Sequence, residues 1–539
     1  MPRRLFAALL LVLLAGPLLP PVLTAVCQPD SIQAFAEWDR LASLLANTAL
    51  LAVIAVAVAV PLGTVLAVAV ARGPALPAGI LRAVVVVGLA VPLPVTAVAW
   101  QAVLGGWLPG MALDPGAVAW RAWNTGLLPA GWVHGMAGVP WVAWVVGGVL
   151  GRTDQILEDD ATLSGGWAAV LWRVVLPRAA VAALVGGGWV AVQTATEIPV
   201  TDSMMTRTFA EEVYTQLVID QSRVGAAVAV TLPVWLAGAV FAAMLVKRGR
   251  VSADVHAARP LVGWGWAVAG GLVAVLFAGV PLAALVGKAS AGGLFANLSN
   301  AVQANWRVIL PSVLWAVVAG VATAWLARRA CWHAARRRWF GGLLLGLCVL
   351  LFLAPGPVVG FGMLKVIGGL VEVERWAIGG WGLAFPPVRS ALYDQPSPLP
   401  VLWAAVVRLF PVACAVLWPA VRAIPVEMTE AAAVDGVSEW RWVVAPLTRK
   451  AFAAAAVGVT ALSLGEVSAA KLVYPAGYKS FILELFQQMH YGAEVTVAAL
   501  AVVQVAITSA VMLAGMWLAG NEKPPGSVTP PAAGRAERC

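Results

Sequence analysis

Residues 425–450 read PVEMTEAAAVDGVSEWRWVVAPLTRK, a polar island between two long apolar runs. The pattern predicts a helix, a tight turn and a second helix. Pro425 suits a first helical turn, where its missing N–H would have no partner anyway. Glu427, Met428 and Glu430 to Ala433 favour helix, and carboxylates in the first turn complement the positive end of the helix dipole. Gly436 stands where a left-handed C-terminal cap belongs, and Ser438 can cap the helix that follows. Pro446 marks the entry to the next apolar run. A short hairpin on a water-facing loop is either a solvated connector or a docking element for a soluble partner. The local pattern leaves both open.

The rest of the chain says what the loop is attached to. Of 539 residues, 61% are apolar and 11% charged, and mean hydropathy is +0.87. A soluble protein carries about 25% charged residues. Apolar runs long enough to cross a bilayer as helices recur along the whole length. The alternating short strands of an outer-membrane barrel are absent. The chain therefore reads as an all-α, polytopic membrane protein. Its net charge of +9 could suggest nucleic acid, but the cations fall mostly in alternate loops between apolar runs, which is topology.

Spans are expected near 43–71, 84–105, 128–150, 179–198 and 223–246, then 261–287, 308–328, 340–363, 400–421, 451–470 and 496–519. The segment 1–26, with Arg3 and Arg4 before an apolar run, reads as an uncleaved first span in preference to a signal peptide, giving about twelve in all. Arg72, Arg82, Arg152, Arg173, Arg178, Arg328, Arg329, Arg422 and Arg449 then fall on one side, placing both termini in the cytoplasm. The tail 521–539, rich in Pro, Gly and Ala, is expected to be disordered.

The chain repeats itself. Val91-Pro92-Leu93-Pro94-Val95 recurs as Ala354-Pro355-Gly356-Pro357-Val358, offset by 263 residues. Trp172 to Pro177 recurs as Arg441 to Pro446 at an offset of 269, and Arg207 to Tyr214 as Lys479 to Phe486 at 272. Matches in one order with a slowly drifting offset imply a parallel duplication: one module over 1–250, a second over 251–520, packed about an axis along the membrane normal. The first module carries a degenerate copy of the hairpin over 158–177. There Asp160-Ala161 leads to Gly165-Gly166, with Pro177 closing the segment, and the acid and the second glycine are again six residues apart. Because Gly165 can share the turn, substitution of Gly166 is expected to be milder than that of Gly436.

Ionisable residues within the bilayer are costly and usually face a cavity or a partner. Glu197 and Glu466 fall at equivalent places, offset by 269, at the ends of spans five and eleven. They either line a path between the halves or cap helices at the water interface. Arg408, like His134, precedes a proline in its span; a structural ion pair or snorkelling is its expected role. Pro92, Pro94, Pro355 and Pro357 should kink or break spans three and nine, at places where broken helices are tolerated only beside a cavity or within protein.

Several chemistries find no support. No Gly-rich phosphate loop occurs; Gly287-Lys288 is followed by Ala289 and lacks the upstream glycine. The five cysteines form no CxxC pair and no disulfide framework, and the four histidines are scattered. No catalytic constellation, metal site or cofactor is expected, so energy for any work must come from a partner or an ion gradient.

Glu430-Ala431-Ala432, with Gly436 six residues after the glutamate and a closing Pro446, resembles the EAA loop of ABC-importer permeases, although its glycine-to-proline spacing is shorter than usual. The duplication makes the chain similar to the fused, two-module permeases common in ferric-iron and thiamine uptake. The resemblance implies a bacterial inner-membrane subunit that forms the translocation path and is not itself an enzyme. Two copies of a cytoplasmic ATPase would dock on the loops, and a periplasmic binding protein would deliver substrate. Iron is the first expectation for that substrate, with thiamine or an organophosphonate as alternatives. A secondary transporter driven by an ion gradient is the reading from another class, since it would share the duplication and the intramembrane acids.

Overall fold

Runs of Ala, Val and Leu in hydrocarbon can satisfy their backbone N–H and C=O groups only internally, so helix is the conformation left to them. The computed structural model describes residues 3–27, 38–104, 125–153, 155–219, 256–257, 260–381, 386–489 and 494–520, and these are helical almost throughout. The helices that matter here are α1 (Arg3–Leu14), α2 (Leu19–Cys27), α3 (Trp38–Arg72), α4 (Ala75–Gly88), α5 (Leu93–Leu104), α6 (Leu127–Leu150), α7 (Gln155–Val170) and α8 (Leu176–Thr196). After α9 (Phe209–Ile219) come α10 (Trp264–Ala274), α11 (Val280–Ala289), α12 (Leu294–Arg336), α13 (Arg338–Leu353) and α14 (Gly356–Trp381). The last are α15 (Leu399–Arg422), α16 (Val426–Val434), α17 (Arg449–Ser463), α18 (Phe481–Met489) and α19 (Glu494–Gly520). The extended pairing among the described residues is a two-residue contact, Arg152 opposite Ala257 and Thr153 opposite His256.

Eight helices among the described residues are long and apolar enough to cross a membrane, or up to eleven if each of three bent pairs counts as one span. The chain is a multi-pass helical membrane protein. The expected span 223–246 and the tail 521–539 lie outside the described residues.

The expected span 451–470 ends at Ser463. Two others need correction because of proline. The span at 84–105 is not one rod: α4 and α5 meet at 108° across Pro92. The span at 340–363 ends at Leu353. Ala354 and Pro355 interrupt it, and α14 starts a fresh helix that runs on to Trp381. In each case the ring removes a backbone donor and pushes the preceding residue out of the helical region. The expected span 308–328 underestimates α12, which extends for 43 residues.

Packing follows small residues. In the first half α3 lies against α6 and α8; in the second α12 lies against α15 and α17. A Cβ on Gly320 would stand 2.1 Å from the Thr460 hydroxyl oxygen and 2.4 Å from the Ala456 carbonyl oxygen, so only glycine lets α12 and α17 approach this closely. The N-terminal pair α1 and α2, bent by 42°, belongs to the core of the second half. Phe6, Leu10 and Leu14 are buried there with Cys331, Phe340 and Leu344, and the Trp403 indole N–H donates to the Leu13 carbonyl at 2.8 Å.

One contact occurs in both halves. The Phe209 N–H donates to the Thr48 hydroxyl of α3 at 2.9 Å, and the Phe481 N–H donates to the Ser312 hydroxyl of α12 at 3.0 Å. Thr48 and Ser312 are 264 residues apart, close to the 272 separating the two phenylalanines.

Candidate functional site

The hairpin at 425–450 forms as a helix, a glycine cap and a second helical segment. Pro425 is the residue before α16, with extended backbone, and not a member of its first turn. Gly436 has φ +67°, in the left-handed region. The Gly436 N–H donates to Ala433 O at 3.2 Å and the Val437 N–H to Ala432 O at 3.0 Å, the paired bonds of a Schellman cap. Thus Ala432 has a backbone role, and its side chain is buried, whereas Glu430 and Ala431 are exposed. The Ser438 hydroxyl accepts from the Arg441 N–H at 3.4 Å, as a cap for the next segment. That segment, Trp440 to Leu447, contains Pro446, and the turn into α17 comes after it: Thr448 breaks the helix with a 60° bend.

The first copy differs at the turn. α7 is interrupted at Gly165 and Gly166, and only Gly166 has positive φ (φ +65°, ψ −161°); Gly165 is extended at φ −173°. The combination at Gly166 is open essentially to glycine alone, so Gly166 is the more demanding position and the expected order of substitution effects reverses. Asp160 and Ala161 lie on the helix before the turn, Ala161 buried. Pro177 does not close a loop: it sits in the first turn of α8, which continues from a wide helical turn at Leu171–Val175.

Both hairpins are tied to the last turn of a long helix. Arg72, at the end of α3, is fully buried and makes a two-pronged ion pair with Glu158 of α7. Read from the sequence as a loop cation, it is an interior strut. Arg336, at the end of α12, pairs with Glu439 at 2.8 Å. Arg329 and Arg328 of the same helix stack on the Trp440 ring at 3.7 and 5.0 Å. Despite this anchoring, each hairpin presents large apolar side chains to the outside. Leu163 is 89% exposed and Val434 87%, and Ile156, Trp167, Met428 and Trp442 are exposed too.

Deeper in the protein, the two acids meet. The Arg408 guanidinium of α15 is 3.1 Å from Glu197 through Nη2 and 3.6 Å from Glu466 through Nε, and its Nη1 donates to Ala354 O at 2.8 Å. The Ser468 hydroxyl donates to the other Glu197 oxygen at 2.5 Å, and the Ala469 N–H donates to Glu466 at 3.0 Å. Glu466 therefore caps a turn, as one of its two readings expected, and it also pairs with the arginine. A cavity of about 120 Å³ adjoins this cluster, lined among others by Pro92, Pro94, Gln193, Glu197, Arg408 and Glu466. Pro355 and Pro357 are not among its lining residues; Pro355 falls at the break after Leu353 and Pro357 in the first turn of α14, and the Ala354 carbonyl beside the break accepts from Arg408. His134 lies buried in α6 and outside the cluster.

Sequence reasoning missed Ser468, which stands two residues after Glu466, and Lys471. The Lys471 ammonium lies 4.3 Å from the Tyr214 ring and 4.9 Å from the Phe486 ring. A lone lysine just beyond an intramembrane acid was the available signal. No group of His, Cys, Asp and Glu suited to a metal ion occurs among the described residues.

No protein-family model matches the chain, and no curated protein matches it.

Proposed function

We propose that the chain is the permease subunit of a binding-protein-dependent ABC importer, with both halves of the channel in one polypeptide. Two copies of a cytoplasmic ATPase dock on the hairpins at 158–177 and 425–446, and a periplasmic binding protein delivers substrate from the other side. Both termini lie in the cytoplasm of a bacterial inner membrane. Ferric iron is the substrate assigned by analogy with fused permeases; thiamine and organophosphonates are the alternatives.

The observation that carries this reading is the pair of hairpins. Each is fixed by a glycine at positive φ six residues after an acid and held by an arginine from the end of a long helix. Each leaves bulky apolar side chains uncovered. A solvated connector needs neither the fixed turn nor the exposed Leu163 and Val434, whereas a helix that inserts into a partner's cleft needs both. The matched Phe209–Thr48 and Phe481–Ser312 hydrogen bonds support two similar halves.

A secondary transporter accounts for duplicated halves and buried acids but not for the hairpins. The test is uptake into membrane vesicles from cells that express the chain. Transport is expected to require ATP and to survive collapse of the proton and sodium gradients. Uptake driven by a gradient without ATP would favour the secondary transporter.

A further inference from the structure

Arg408 and Arg72 are both interior arginines paired with glutamate, yet they are held differently. Arg72 is completely buried and grips one carboxylate with two nitrogens, the geometry of a permanent strut. Arg408 touches each of two carboxylates with a single nitrogen, the second only at 3.6 Å. All three side chains stay partly open, at 11, 14 and 10% for Arg408, Glu197 and Glu466. One guanidinium thus faces two carboxyl groups beside a cavity, so acidic groups outnumber basic ones there. Trp141, Trp189 and Phe352 line the same cavity, with ring centres 4.8 and 4.4 Å apart, and aromatic faces attract cations.

A second place repeats the arrangement. Tyr214 and Phe486 occupy matching positions in the repeated segments, offset by 272 residues, and Lys471 lies against both rings. At two places, then, a cation from the second half sits between a residue of the first half and its counterpart.

We propose that Glu197 and Glu466 form a cation-binding gate in the path, and that Arg408 is its resident cation, displaced by the positive group of the transported substrate. Displacement exposes the two carboxylates and the Ala354 carbonyl as oxygen ligands beside an aromatic wall. Arg408 stays tethered to α15 and returns when the substrate leaves. This inference rests on the permease reading and deepens it: among the candidate substrates it selects the cationic ones over the phosphonate.

The test is thermal unfolding of the purified full chain. Arg408→Ala leaves the carboxylates open, and millimolar guanidinium is then expected to raise the melting temperature progressively, as binding to the native state requires. The rise should vanish when Glu197→Gln and Glu466→Gln are added. No rise, or an equal rise in the triple variant, would overturn the proposal. Should Arg408→Ala not accumulate, Arg408→Gln carries the same test, because it removes the resident charge and keeps a side chain that fills part of the same space. On the wild-type chain, methylphosphonate is expected to leave the melting temperature unchanged; an Arg408-dependent rise would assign the site to anions and contradict the inference. Co-purification of the ATPase is scored separately. Failed rescue with the ATPase retained removes the gate alone, while a wild-type chain that retains no ATPase removes the permease reading.

Discussion

At the scale of single residues, the decisive positions are those where chemistry leaves few choices. Gly436 and Gly166 have φ of +67° and +65°, and a Cβ at either would meet nothing within 4 Å, so the cost of a side chain there is conformational and not steric. Gly436→Ala is expected to cost on the order of 1 kcal/mol. Gly166→Ala should cost more, about 1–3 kcal/mol, because its ψ of −161° places it where side chains are essentially excluded. Hydrogen exchange of the hairpin amides measures this: faster exchange over 155–170 in the Gly166 variant than over 426–441 in the Gly436 variant is expected, and the reverse order would count against the assigned turns. The Gly436 cap and the matched positions of Glu197 and Glu466 were legible from the sequence, because both depend on local chemistry and spacing. The ion pair expected of Arg408 forms, but its partners were not legible. Arg408 lies 211 residues from Glu197, and no local rule says which distant cation a buried carboxylate will meet.

At the scale of elements, hydropathy locates apolar runs well and their breaks less well. The sequence marked Pro92 and Pro355 as breakers but could not give the 108° angle between α4 and α5, which is set by what the two helices pack on. Likewise Arg72 resembled other loop cations until Glu158 of α7 was seen beside it. Packing between α12 and α17 supplies a quantitative check. Gly320→Ala drives a methyl into the Thr460 hydroxyl and the Ala456 carbonyl and is expected to destabilise by about 2 kcal/mol. Gly346→Ala, with nothing within 4 Å, should be neutral or slightly stabilising. Melting of both proteins in detergent decides the point; equal melting temperatures would mean that the close approach is not a constraint.

At the scale of the whole molecule, the chain is a helical membrane bundle with two anchored hairpins and an arginine that joins Glu197 to Glu466. Topology is open to direct measurement. An impermeant thiol reagent applied to intact cells is expected to label a cysteine placed at Lys479 and to spare one placed at Gly436; labelling at Gly436 would invert the orientation. The proposed duplication rests on drifting sequence offsets, and the Phe209–Thr48 and Phe481–Ser312 contacts are in keeping with them. The swap of α1 and α2 onto the second half was not legible, since an apolar helix carries no mark of which neighbour it will choose. If the hairpins dock an ATPase, the complex purified from native membranes contains it. Two P-loop ATPase subunits are expected per wild-type chain, and their loss, with the membrane domain still folded, in the Gly436→Val chain. A wild-type chain without an ATPase, or a Gly436→Val chain that keeps both ATPase copies and full ATP-driven uptake, would contradict the docking role.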